Sequence, residues 1–294
     1  MSLAARPLAS HGRYDYSAIT GRRDYAWPDG KRLAVYIGFN IEHFEYGRGM
    51  GAKLAPSGDP DVLNFAWRDY GNRVGAWRCL DLFEQLKLPV GVLLNTALYD
   101  YCPELIAAFR ARGDEIIGHG HTNAERQSDM PRAEEKRLID DCTARMTAAE
   151  RQAPRGWLSP WIAESRDTPE LLVEAGYRYT LNWCHDDQPM LFNTASGPLW
   201  SIPYPQEIND IPAVIARQNS AEEFAGMIID CYDEMLAQSD RQPLVMGIAL
   251  HPYLIGQPHR LRHLRRALQH INTSGRAWWT TPGAIFDHVA ALTR

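Results

Sequence analysis

Long apolar runs are missing from this chain. No stretch approaches the ~18 consecutive apolar residues that a membrane-spanning helix needs. The opening residues, MSLAARPLASHGRYDYSAIT, hold no apolar run of signal-peptide length. Paired cysteines are missing too. Cys79, Cys102, Cys142, Cys184 and Cys231 are odd in number, widely spaced and never set as C-x-x-C, which reads as reduced thiols and not as a disulfide frame. Positive charge is in short supply: the formal net charge is -5, whereas a nucleic-acid binder carries a basic excess. The basic stretch HRLRHLRRALQH (259–270) has leucines at helical spacing, so it reads as a helix with a solvated basic face. Standard catalytic signatures are also absent. There is no H-E-x-x-H, P-loop or G-x-S-x-G, and GRGMG (47–51) lacks the spacing of a dinucleotide fingerprint. These absences leave a soluble cytoplasmic protein that handles a small molecule as the expectation.

Core-forming residues are present in quantity. Apolar residues make up 45% of the chain, well above a disordered composition. After a polar, aromatic segment at 1–30, expected to lie as an arm over a domain at 31–294, short apolar runs alternate with helix-period segments. RLAVYIGFN (32–40), VGVLLN (90–95), EIIGHG (115–120), GWLS (156–159), YRYTLNW (177–183), LWSIPY (199–204), LVMGIALH (244–251) and RAWWTT (276–281) read as strands. Several are apolar nearly throughout, as strands buried on both faces are. Between them, Ala76, Leu80 and Phe83 share a helical stripe with Trp77 beside it, and PELIAAFRARG starts with proline and ends with glycine. Strand then helix, repeated about seven times, predicts an α/β fold with a closed or nearly closed parallel barrel; an open doubly wound sheet is the alternative. The polar segment 44–68 is long enough to be a lid.

Polar chemistry collects where the predicted strands end. Asn40, Glu42 and His43 follow the first, and His119, His121 and Asn123 follow the third. Ser159, Pro160 and Trp161 follow the fourth, and Trp183, His185, Asp186 and Asp187 the fifth. Gln206, Asn209 and Asp210 follow the sixth, and His251 ends the seventh. In a parallel barrel this rim carries the chemistry. Each residue also has an ordinary reading: His119 as a structural hydrogen bonder, Asp186 and Asp187 as a polar turn or cap, the tryptophans as core.

The stretches FNIEHFEYG, GDEIIGHGHTN, PRGWLSP, IPYPQEIND and LHPYLIGQPHRL, with YGNRVGAWRCLDLFEQLKLPVGVLLN between the first two, resemble the polysaccharide deacetylase superfamily. Within it the chain is most similar to the metal-independent, allantoinase-like branch of cyclic-amide and cyclic-imide hydrolases. The resemblance covers nearly the whole chain and implies an irregular, incomplete (β/α) barrel of about seven parallel strands. It also implies a homo-oligomer, dimer or tetramer. Metal-dependent members carry a base aspartate, a metal-binding aspartate and two histidines four apart. Carried over, the base position is Glu42, the metal aspartate becomes His43, the first histidine is His119 and the second is Asn123, a poor ligand. An arginine that supports the base is replaced by Leu158.

From this the expected function is hydrolysis of a non-peptide C–N bond in a small cyclic amide, ureide or imide. Glu42 acts as general base and His251 as general acid, with no cofactor favoured. Asn209 and Asp210 are expected to hydrogen-bond the substrate, and Trp157, Trp161 and Trp183 to wall a flat pocket. His43, His119, His121 and Asn123 form either a polar site or a rebuilt zinc site. Two alternatives stand beside it: a metal-dependent N-deacetylase of an amino sugar, and a non-catalytic binder of a small ligand.

Overall fold

The structure, a computed structural model, describes residues 8–48 and 50–293. Among these residues nine strands form one sheet in the order β6-β7-β5-β4-β3-β2-β1-β8, with β9 paired to β1. The strands are β1 (Leu33–Ile41), β2 (Val90–Leu94), β3 (Glu115–Gly118), β4 (Gly156–Trp157), β5 (Tyr179–Thr180), β6 (Met190–Phe192), β7 (Leu199–Ser201), β8 (Leu244–Leu250) and β9 (Trp278–Thr280). All pairings are parallel except β6 with β7, which is antiparallel. The sheet curls into a half-barrel. Its two ends approach through one isolated bridge, Asn209 to Ala249. The expected barrel is therefore present in irregular form. The reading missed the short antiparallel β6. Several expected strands are also shorter in the structure: 177–183 yields only Tyr179–Thr180, 199–204 only Leu199–Ser201, 156–159 only Gly156–Trp157, 115–120 only Glu115–Gly118 and 276–281 only Trp278–Thr280.

Side chains alternate across each strand, and the alternation sorts the core into two layers. On β1, Leu33, Val35, Ile37, Phe39 and Ile41 face the helices and join the main outer core. Ala34 and Tyr36 face the barrel interior. The inner row then runs on through Gly38 and Asn40. On β8, Met246, Ile248 and Leu250 face outward, and Val245 and Ala249 inward. The interior is filled by aromatic bulk: Tyr36, Tyr179 and Tyr204 with Leu93, Ile117, Leu158 and Ile202. Space for it comes from missing side chains. A Cβ on Gly38 would stand 3.0 Å from the Tyr204 ring, and one on Gly247 2.9 Å from the Tyr36 hydroxyl. Each fully buried large aliphatic side chain contributes about 1.5–3 kcal/mol, so both layers matter to stability.

Helices cover the outer face. α1 (Val62–Tyr70) is capped by Asp61 and passes through a π-helical turn, Gly71–Gly75, into α2 (Ala76–Leu86). α3 (Leu98–Tyr101), α4 (Pro103–Ala111), α5 (Arg132–Glu150), α6 (Thr168–Glu174) and α7 (Ala221–Gln238) follow, then α8 (Pro252–Ile255), α9 (Pro258–Ser274) and α10 (Pro282–Leu292). Gly71 and Gly75 let the turn press against α8. A Cβ on either would meet the backbone of Tyr253 or Pro252 at 2.8 or 2.1 Å. No helix of the described residues is long and apolar enough to cross a membrane.

Of the N-terminal arm, residues 1–7 lie outside the described residues. From residue 8 onward it is tied to the barrel at several points. Arg13 pairs with Glu170, Arg22 with Asp186 at 2.7 Å, and Trp27 is buried with its indole N–H on the Leu244 carbonyl.

Candidate active site

The two inner rows deliver the key side chains. Two residues beyond Asn40 on the inner row of β1 comes Glu42; two beyond Ala249 on β8 comes His251. Two beyond Ile117 on β3 comes His119. All three are buried, at 6%, 5% and 2% exposure, and line one cavity of ≈ 210 Å³ at the C-terminal ends of the strands. Asn123 returns to the same cavity because Gly120, at φ +69, turns the chain back beneath Pro160. A side chain at Gly120 would be strained in that left-handed region.

Glu42 sits at the centre. Its Oε1 accepts from the Asn123 amide at 2.6 Å and stands 3.4 Å from His119 Nε2 and 3.8 Å from His251 Nε2. Its Oε2 is buried and has no partner among the described residues. A carboxylate only accepts, so the Asn123 NH₂ must face it and the Asn123 carbonyl must face elsewhere. That oxygen too is buried without a partner. His251 is fixed from behind. Asp210, fully buried, accepts from His251 Nδ1 at 2.6 Å and from the His251 backbone N–H at 2.8 Å. Nδ1 is therefore the protonated nitrogen facing Asp210, and Nε2 faces Glu42.

The charges complement each other. Burial opposes ionisation of Glu42, but the charge of His251 and hydrogen bonds from His119 and Asn123 outweigh it, so its pKa falls below the usual carboxylate value. Burial also opposes charging of His251, but Asp210 and Glu42 overcome it and raise the imidazole pKa. The pair is thus biased toward an ionised carboxylate beside a protonated imidazole.

Several expected site residues lie elsewhere. His43, one residue past Glu42, alternates to the other side and packs its ring 4.9 Å from Tyr101. His121 is exposed, with Nδ1 3.0 Å from the Thr96 hydroxyl. Trp157 is on the outer row of β4, fully buried among Ile139, Leu171 and Tyr177, while its neighbour Leu158 faces the cavity. Trp183 donates to Glu164 at 2.7 Å and packs against the arm residues His11 and Tyr14. Asp210 contacts His251 and does not line the cavity. Trp161 and Asn209 do line it, and Asn209 spends its side-chain oxygen on the Ile211 N–H at 3.1 Å. The reading of the rim passed over Phe44, Ile162, Tyr204 and Tyr253, which also form the wall. Tyr253 was within reach, since it lies two residues beyond His251.

A zinc site needs about three protein ligands converging on one point. Here the second histidine position is Asn123, whose amide protons are turned to the carboxylate. His43 and His121 diverge from His119. Among the described residues no group of three or more His, Cys, Asp or Glu side chains is placed to hold a metal. The donor set does not fit the ion.

A half-barrel with a buried carboxylate and an aspartate-held histidine facing each other over a small cavity defines a hydrolase. Residues 63–180 match the family model described as polysaccharide deacetylase, in keeping with a hydrolase that acts on carbon–nitrogen bonds. A Schizosaccharomyces pombe protein that bears the polysaccharide deacetylase name is 26% identical over 288 residues, 87% of this chain and 89% of its own. The peptidoglycan deacetylase of Helicobacter pylori is 23% identical over 257 residues, 74% of this chain and 84% of its own. Among solved structures, PuuE allantoinase superposes with a TM-score of 0.83 at 25% identity, covering 95% of this chain and 98% of that one.

Proposed function

We propose that the protein hydrolyses a C–N bond of a small cyclic amide, ureide or imide by general acid–base catalysis, without a metal ion. The observation that carries this reading is the replacement of a metal ligand by a proton donor: Asn123 hydrogen-bonds Glu42 at 2.6 Å where a second histidine would face a metal. The cavity volume, ≈ 210 Å³, suits a small ring better than a polymer segment. The overall likeness to PuuE allantoinase is in keeping with such a substrate.

In this scheme water lies against the unpartnered Oε2 of Glu42, gives up a proton to it and attacks the ring carbonyl. His251, held by Asp210, gives the Nε2 proton to the departing nitrogen. The developing oxyanion needs a fixed donor. The backbone N–H of Trp161 is available, because the turn's own hydrogen bonds run from Ile162 to Ser159 and from Ala163 to Pro160. Trp161, at φ +64, and Ile162, at φ +56, both hold left-handed conformations, and a β-branched residue there is strained. Ring strain or imide activation makes such a carbonyl more reactive than an ordinary amide, which suits a site lacking a Lewis acid.

The test is acid or base release from allantoin, hydantoin, succinimide, glutarimide and N-acetylated glucosamine oligomers, with and without a strong chelator. Turnover of a ring that resists the chelator supports the reading. Release of acetate from the sugars, abolished by the chelator, overturns it in favour of a metal-dependent N-deacetylase. We also propose a homodimer or homotetramer. Tyr46, Leu54, Val62 and Leu63 expose apolar surface, and light scattering that returned the mass of one chain would overturn it.

A further inference from the structure

Tyr253 is the one cavity-wall phenol whose hydroxyl has no hydrogen-bond partner among the described residues, although the residue is only 2% exposed. Tyr204, the other phenol lining the cavity, is bonded to the Asn40 amide at 3.0 Å. A buried tyrosine hydroxyl ordinarily finds a partner, and leaving one unmet is costly. Nor can this ring turn away to find one. It packs edge-on to Phe44 at 5.9 Å and Trp67 at 5.0 Å, and its backbone is pressed by the glycine turn at Gly71. The ring lies 5.8 Å from the His251 ring, two residues along the chain and on the same cavity.

That position has a chemical meaning, given the roles assigned to Glu42 and His251 above, on which this inference rests. His251 delivers its proton to the leaving nitrogen. With the leaving nitrogen at His251 Nε2, its other substituent can reach toward Tyr253, whose ring stands on the same cavity 5.8 Å from the His251 ring. In an imide or a hydantoin-type ring that second substituent is a carbonyl. In a lactam it is a CH₂ group, and in an N-acetylated sugar it is a ring carbon. A phenol can donate to the carbonyl and to neither of the carbons.

We propose that the Tyr253 hydroxyl determines specificity by donating a hydrogen bond to the second carbonyl of the substrate, the one on the far side of the leaving nitrogen. The hydroxyl is kept unpaired in the free protein so that this carbonyl completes it. The phenol stays protonated throughout the working range, because burial first, and then the nearby charges of Glu42 and Asp210, push its pKa well above the ordinary value.

The experiment is Tyr253→Phe, which removes one oxygen and keeps the ring. Three quantities are read: kcat/KM on succinimide, glutarimide and hydantoin, the inhibition constant of the lactam 2-piperidone, and the thermal midpoint. The expected result is a fall of about 10- to 100-fold in kcat/KM on the two-carbonyl rings. Lactam inhibition should stay within about 2-fold, and the thermal midpoint should be unchanged or raised. A merely structural hydroxyl would instead lower the midpoint and weaken both ligands together, which overturns the assignment. Unchanged kcat/KM on the rings also overturns it while the cyclic-amide reading stands. Wild-type protein that hydrolyses none of the rings removes that reading, and this inference with it.

Discussion

The two ends of the barrel make an instructive pair. At the N-terminal ends of the strands lies the larger cleft, ≈ 560 Å³, rich in charge. Every charged group that matters there is paired. Arg155 meets Asp287 and Arg110 meets Glu150, each at 2.7 Å, and Arg112 holds Asp114 at 2.8 Å. Glu115 accepts from the Gly283 N–H at 2.7 Å and the Tyr179 hydroxyl at 3.0 Å. The opposite end holds a cavity of ≈ 210 Å³ with Glu42 Oε2, Asn123 Oδ1 and Tyr253 Oη all unmet. Size and charge do not mark the chemistry here. The convergence of three unmet groups on one cavity does; other buried unmet atoms, such as those of His185 and Trp279 Nε1, are scattered away from it.

The sharpest test of that contrast is a matched pair of isosteric changes. Glu42→Gln should reduce kcat on the preferred ring by at least about 10³-fold with the thermal midpoint preserved. Retained turnover would show that the carboxylate is not the base. Next comes Asp210→Asn, expected to cost about 10²-fold in kcat. It also bears on the pH profile. In the proposed scheme activity requires Glu42 ionised and His251 protonated. The acid limb should therefore fall below the ordinary carboxylate pKa, and the alkaline limb above the ordinary histidine value. Without the Asp210 charge the histidine pKa drops, so the alkaline limb should move down in pH. An alkaline limb that does not move assigns it to another group.

Asn123→Ala should cost about 10-fold in kcat/KM and shift the acid limb upward, since the carboxylate loses the donor that favours its charged form. A downward shift would contradict the hydrogen bond drawn here. The smallest effect on activity belongs to the other end. Glu115→Gln should leave kcat/KM within about 2-fold while lowering stability by about 1–3 kcal/mol, read by urea unfolding. A large activity loss there would erase the distinction between the two ends.

Much of this arrangement is legible in the sequence alone. β1, β2 and β8 are apolar on both faces, and their long runs announce a buried parallel sheet. Counting by twos from Tyr36 through Asn40 reaches Glu42 and skips His43, so the divergence of those neighbours follows from the pleat alone. The same count puts Leu158 inward and Trp157 outward, which is why a tryptophan beside the rim proved to be core. Trp183 was harder. Its direction depends on Glu164 and on the N-terminal arm, contacts between segments far apart in sequence. Asp210 was read as a substrate ligand because its partner, His251, lies 41 positions away and only the closure of the sheet joins them. β6 has three residues, too few for any periodicity to show. The position of Tyr253 is legible beside His251, but the unmet state of its hydroxyl is not, because that is a property of its surroundings.

The single Asn209–Ala249 bridge has an implication for how the protein comes apart. The proposed acid, His251, and the Asp210 that holds it face each other across that seam. Among the described residues the banks are joined by that bridge, the buried Asp210–His251 pair and scattered hydrogen bonds such as Val245 N–H to the Asp187 carbonyl at 2.8 Å, not by a continuous ladder, so the seam is the place where the sheet should open first. Heat or mild denaturant would then silence the enzyme while most helices and central strands remain intact. The loss of turnover should precede the loss of far-ultraviolet dichroism, making the catalytic pair a reporter of whether the barrel is shut.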